Sequence, residues 1–134
     1  MTRSASAPAA ADPAIVATAL RAVKGEDDSV GGMLVAGGDG LVLAAETTGV
    51  QTDMLGVMAA VVAGIASQIA AQALAGDAMS CMVEGSAGHV AVFPLKPAMV
   101  LVVVSQSEVS TGRFNLAARG VLCRLQEAID EAVA

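Results

Sequence analysis

The stretch Val35-Ala36-Gly37-Gly38-Asp39-Gly40-Leu41-Val42 holds residue types that phosphate chemistry uses: three glycines and a carboxylate between apolar runs. A phosphate cradle needs successive backbone N–H groups opening a helix, and Walker-type loops add a lysine. Here the glycines lead into Leu41-Val42-Leu43, a strand-like run, and the nearest lysine is Lys24. Asp39-Gly40 is instead a hairpin signal, because glycine takes the positive φ that tight turns require. The stretch reads as a turn.

The remaining candidates for chemistry are sparse. His89, the single histidine, opens a strand-like run and is expected to lie at a surface or turn. A hairpin would bring Cys81 towards it, but a nucleophile–base pair needs a third, orienting group, and none is evident. Cys81 and Cys123 stand in apolar segments without CxxC or CxxH spacing. That argues against a disulfide framework or zinc site and makes a reducing compartment the default. Asp27-Asp28 lacks the ligand spacing of a calcium loop. Arg113, Arg119 and Arg124 leave their helix at different angles, which suits a solvated face better than an arginine finger. No catalytic, cofactor-binding or metal-ligating residue is assigned.

Composition points towards surfaces. The 134-residue chain is 55% hydrophobic, lacks Trp and Tyr, and has only Phe93 and Phe114 as aromatics. Its core must be aliphatic. Charged residues make up 15%, against about 25% in an ordinary soluble domain. That shortage suggests apolar surface covered by another chain. The net charge is -6 with no basic cluster, which argues against nucleic acid as a partner class.

The opening, MTRSASAPAAADPA, lacks the apolar run of a secretory signal. Residues 1–12 are expected to be a disordered leader and 13–134 a single domain. Residues 13–24 set Ile15, Val16, Ala19, Leu20 and Val23 on one helical face, with Asp12 as N-cap and Pro13 at the first position. Strands are expected over 30–36, 41–46, 79–84, 89–95 and 98–105, and a helix over 54–76. A last helix, capped by Ser110 or Thr111 and reaching Val133, carries the stripe Phe114, Ala118, Val121, Leu122, Leu125, Ile129 and Ala132. Met99–Val104 is apolar at every position, as in a strand covered on both faces. The expected architecture is a three-layer sandwich of one helix, an antiparallel sheet and two helices.

The segment Met54–Gly76 contains no charge at all. It is long enough to span a bilayer, but its Ala, Gly, Ser and Gln content, flanking Asp53 and Asp77, and lack of Lys, Arg or aromatic anchors argue against insertion. At 100° per residue Met54, Met58, Val61, Val62, Ile65 and Ile69 gather on one side. Small residues, with Leu74, gather on the other. The large side is expected on the sheet. The small, charge-free side is expected to meet a second copy of the helix, since small residues three or four apart let helices approach closely.

Taken in order, Gly32-Met33-Leu34-Val35, Asp39-Gly40-Leu41-Val42-Leu43, Asp53 ahead of Met58-Ala59-Ala60, Val83-Glu84, Gly88-His89-Val90-Ala91-Val92-Phe93-Pro94 and Gly112 resemble the roadblock/dynein light chain family, in its bacterial branch. The likeness covers roughly residues 13 to 130. It implies an α/β fold of α+β type, a five-stranded sheet in the order 2-1-5-4-3, with one long helix on one face and two on the other. It implies a homodimer whose edge strands pair and whose middle helices pack. The interface is then expected at Gly56, Ala59, Ala60, Ala63, Gly64, Ser67, Ala70, Ala71 and Leu74 of the helix, and at Met79, Cys81, Met82 and Val83 of the edge strand. The resemblance further implies a non-catalytic cytoplasmic partner of a small Ras-like GTPase, one that biases its nucleotide cycle, without cofactor or metal. The alternative is a scaffold linking a membrane sensor or motor complex without acting on GTP turnover.

Overall fold

α1 (Pro13–Val23) begins where Asp12 Oδ1 accepts the Ala14 N–H at 2.8 Å and Pro13 supplies a preset φ. The structure is a computed structural model that describes residues 9–106 and 109–134. Residues 1–8 of the expected leader lie outside the described residues; Ala10 and Ala11 pack against the core just ahead of α1.

The chain continues through β1 (Val30–Gly37), β2 (Val42–Glu46), α2 (Thr52–Gln72), β3 (Cys81–Glu84), β4 (His89–Leu95), β5 (Met99–Ser105) and α3 (Thr111–Val133). The five strands form one antiparallel sheet in the order β2-β1-β5-β4-β3. The all-apolar run of β5 takes the centre, where both faces are covered. Leu101 and Val103 join Phe93, Phe114, Leu125 and Ile129 in the core under α1 and α3, while Val100 and Val102 join Leu34, Val92 and Ala59 under α2. Side chains alternate across a strand, so one strand supplies two cores. The fold is therefore the three-layer α+β sandwich expected from the sequence.

Several boundaries shift by a few residues, α2 beginning at Thr52 among them, and two of the shifts matter here. α2 ends at Gln72, because Leu74 and Gly76 turn into positive φ (56° and 84°) and the helix ladder cannot continue. β3 begins at Cys81, two residues later than expected, so Met79 lies outside the sheet and is exposed.

The larger correction concerns the faces of α2. Gly56, Ala59 and Ala63 of its small side lie on the sheet and Met54, Met58, Val61, Ile65 and Ile69 of its large side face outward, the reverse of the expectation, while Val62 packs inward as expected. Gly56 and Ala59 are buried, and Ala63 is half-buried against Leu34, Val92 and Val102. A Cβ built on Gly56 would stand 2.8 Å from Val42 Cγ2 and 3.0 Å from the Gly40 carbonyl oxygen. The helix axis comes so near the sheet at Gly56 that only a small residue fits there, while Leu55 and Val62 pack in at the flanks of the contact. Met58 is 57% exposed and Ile69 63%.

Candidate functional site

The glycine turn answers the question its composition raises. The Gly37 N–H donates to the Leu41 carbonyl at 2.9 Å, Gly40 N–H to the Gly37 carbonyl at 2.9 Å, and Gly38 N–H to the Ala98 carbonyl at 3.0 Å. Asp39 Oδ1 accepts from the Leu41 N–H at 3.0 Å. The backbone donors that a phosphate would need are consumed within the fold. Gly40 has φ +88°, and its missing side chain admits the backbone of α2 at Val57, 3.1 Å from where a Cβ would lie. The turn closes a hairpin and seats a helix.

His89 is not at the surface, contrary to the expectation; it is buried to 9% exposure. Its ring stacks on Phe114 with centroids 5.7 Å apart, and Nε2 lies 2.9 Å from Thr111 Oγ1. The Thr111 hydroxyl donates onward to Glu84 Oε2 at 3.0 Å. With that proton committed to the carboxylate, the threonine oxygen accepts from the imidazole N–H. This chain fastens the start of α3 to the β3–β4 hairpin. Both contacts converge on one threonine oxygen at the first residue of α3. Cys81 is no partner for His89: Cys81 pairs with Val92 and His89 with Glu84, three register steps apart.

The other polar candidates are structural. Asp27 Oδ1 accepts the Ser29 N–H at 2.8 Å, closing a turn. Arg124 pairs with Glu26, and Lys24 with Glu46 at 3.0 Å. Among the described residues no group of three or more His, Cys, Asp or Glu side chains gathers as metal ligands would.

What remains is a surface. Met54, Val57, Met58, Val61, Ile65 and Ile69 form a continuous apolar strip along the outward side of α2, each about half exposed or more. A strip of this kind on a folded domain marks an interaction site. Beside it lies β3, which pairs with β4 on one side and, among the described residues, has no strand on the other. Ala63 and Ala66 of α2 line one small cleft together with Ser80 and Cys81. The strip and this edge of β3 thus belong to one side of the molecule.

The expected interface residues divide across this geometry. Gly56 and Ala59 are corrected out of the exposed surface, since the chain's own sheet covers them. Ala60, Ala63 and Ala70 are half-buried, whereas Gly64, Ser67, Ala71 and Leu74 are exposed along the flank of the strip or just beyond the helix end. On the strand side Met79 and Val83 are exposed, and Cys81 and Met82 half-buried. Sequence reasoning missed the strip itself as surface. The signal that separates buried from exposed helix faces is a polarity contrast, and α2 has none.

α2 is also long and apolar enough to cross a bilayer by length and composition. Its inner side, however, seals Leu34, Val100 and Val102 from solvent. Drawing it into a membrane would strip one face of the sheet.

Comparison with known proteins follows the same outline. The family model described as the Roadblock/LC7 domain matches residues 15–105. Among solved structures, Myxococcus xanthus MglB superposes with a TM-score of 0.73 at 15% identity, covering 100% of this chain and 96% of that one. The gliding protein MglB of Thermus thermophilus gives 0.71 at 16% identity over 94% and 97% of the two chains. A Roadblock/LC7 domain from Streptomyces avermitilis gives 0.68 at 13% over 93% and 98%. None of the curated proteins matches the sequence closely enough to count as a relative.

Proposed function

This chain belongs to the Roadblock/LC7 domain family, and from that premise we propose that it is a non-catalytic, cytoplasmic homodimer that binds a small Ras-like GTPase and biases its nucleotide cycle. The observation that carries the reading is the uncovered apolar strip of α2 beside the open edge of β3. A second copy related by a twofold axis would pair β3 with β3 and lay the two strips side by side, covering both at once. One of the similar solved structures is described as MglB in a tetrameric arrangement, so assembly of this fold has a precedent. Regulation by such a dimer requires only that it bind one GTPase conformation better than the other, which shifts the population without active-site chemistry.

The test is single-turnover GTP hydrolysis and nucleotide exchange by the organism's small Ras-like GTPases, with and without this protein. A changed rate together with a complex on a sizing column supports the proposal. Unchanged rates and no complex with any of them overturn it. The scaffold alternative places the docking element in the N-terminal segment. Deleting residues 1–8, which leaves Ala11 and the Asp12 cap in place, should abolish partner binding on that view and leave GTPase regulation intact on the first.

A further inference from the structure

We infer that the outward side of the first half of α3, centred on Arg113, Leu116 and Arg119, is the docking surface for an acidic patch on the GTPase. The inference rests on the GTPase-regulator reading above and names where the contact is made. The chain carries a net charge of -6, yet residues 111–126 contain three arginines and no acid, and Glu127, Asp130 and Glu131 follow in the last turns. α3 has no acid in its first turn and no base in its last. Both halves are set against the helix macrodipole, which favours the opposite arrangement. The helix dipole therefore does not account for these charges, and their individual partners distinguish them.

The three arginines are not equivalent. Arg124 turns away and pairs with Glu26, and the missing side chain of Gly120 gives it room, since a Cβ there would lie 3.1 Å from its Nη1. Arg113 is exposed. Arg119 is exposed but held: its Nη2 donates to Ser80 Oγ at 3.4 Å, and its guanidinium stands 5.9 Å from the centre of the Phe93 ring. A guanidinium already ordered loses less freedom on binding, and its remaining N–H groups can meet a carboxylate. Leu116 sits three residues from each arginine and is 76% exposed. An apolar knob between two cations is complementary to an apolar depression rimmed by carboxylates. Nucleic acid is disfavoured, since both phenylalanines are fully buried and nothing is left to stack on bases. A lipid surface is disfavoured because two cations and one leucine are few for anchoring, which takes polybasic clusters or larger apolar faces.

The experiment measures binding of each purified small Ras-like GTPase of the organism, loaded with GDP or a non-hydrolysable GTP analogue, to three proteins. They are the unmodified chain, Arg113→Glu/Arg119→Glu, and a charge-matched control, Arg21→Glu/Lys96→Glu. Arg113→Gln/Arg119→Gln serves as a milder pair should reversal disturb folding. The expected result is binding weakened by about tenfold or more in the α3 variants, with a flatter salt dependence, and little changed in the control. Leu116→Asp should weaken binding comparably. Equal binding by all variants overturns the inference and leaves the GTPase reading standing. No GTPase bound by the unmodified chain overturns both. Arginine-dependent sedimentation with phosphatidylserine vesicles, with GTPase binding unaffected, overturns the inference in favour of a membrane surface.

Discussion

α2 and α3 are nearly equal in length, at 21 and 23 residues, and lie on opposite faces of one sheet, yet they obey different rules. α3 is amphipathic in the ordinary sense. Phe114, Ala118, Val121, Leu125 and Ile129 are buried in a single stripe, and charged residues occupy the side facing water. α2 has no polar side to give to solvent, and its inner and outer faces differ only in size. Water therefore orients α3, whereas steric fit orients α2. The sheet accepts Gly56 and Ala59 at close range, and the Met, Val and Ile side chains are left outward for something other than water to cover.

Three substitutions break or sharpen this contrast. The largest loss of stability is expected in α3. Phe114→Ala empties a fully buried site and should cost about 3–5 kcal/mol, read from urea unfolding at fixed protein concentration. A loss below 1 kcal/mol, on the order of a surface change, would show that the α3 stripe is not the core of its layer. Next comes the inner side of α2. Gly56→Val drives a branched side chain into Val42 and the Gly40 carbonyl and should cost about 1–3 kcal/mol. An unchanged melting temperature would mean that α2 does not approach the sheet through that side. The smallest effect on the protomer is expected on the outer side of α2. Ile65→Glu should leave its secondary structure intact by circular dichroism and alter protomer stability by at most about 0.5 kcal/mol. The same change should halve the mass seen by light scattering. Persistence of the unmodified mass would mean that the strip is not where copies meet.

The sequence was legible wherever polarity and local chemistry agree. Asp12 and Pro13 mark the start of α1, Ser110 caps α3 through the Arg113 N–H at 3.3 Å, and Asp39-Gly40 turns β1 into β2. The unbroken apolar run Met99–Val104 identified the central strand, since only a strand covered on both faces can be so free of polar residues. His89 was not legible. A histidine at a strand start is usually wet, and its burial depends on Phe114, Thr111 and Glu84, which arrive from other elements. Nor was the α2 surface, because both of its faces are equally hydrophobic in character and only their sizes differ.

By itself the amino-acid sequence determined the elements, their order and the identity of the central strand, because capping, turn chemistry and burial periodicity act over a few neighbouring residues. Tertiary structure alone decided which side of α2 the sheet would take. That choice depends on how near Gly40, Val42 and Leu34 bring the sheet to the helix, a distance fixed by segments far apart in the chain. Gly56 and Ala59 fit that gap, and Met58 and Ile65 do not.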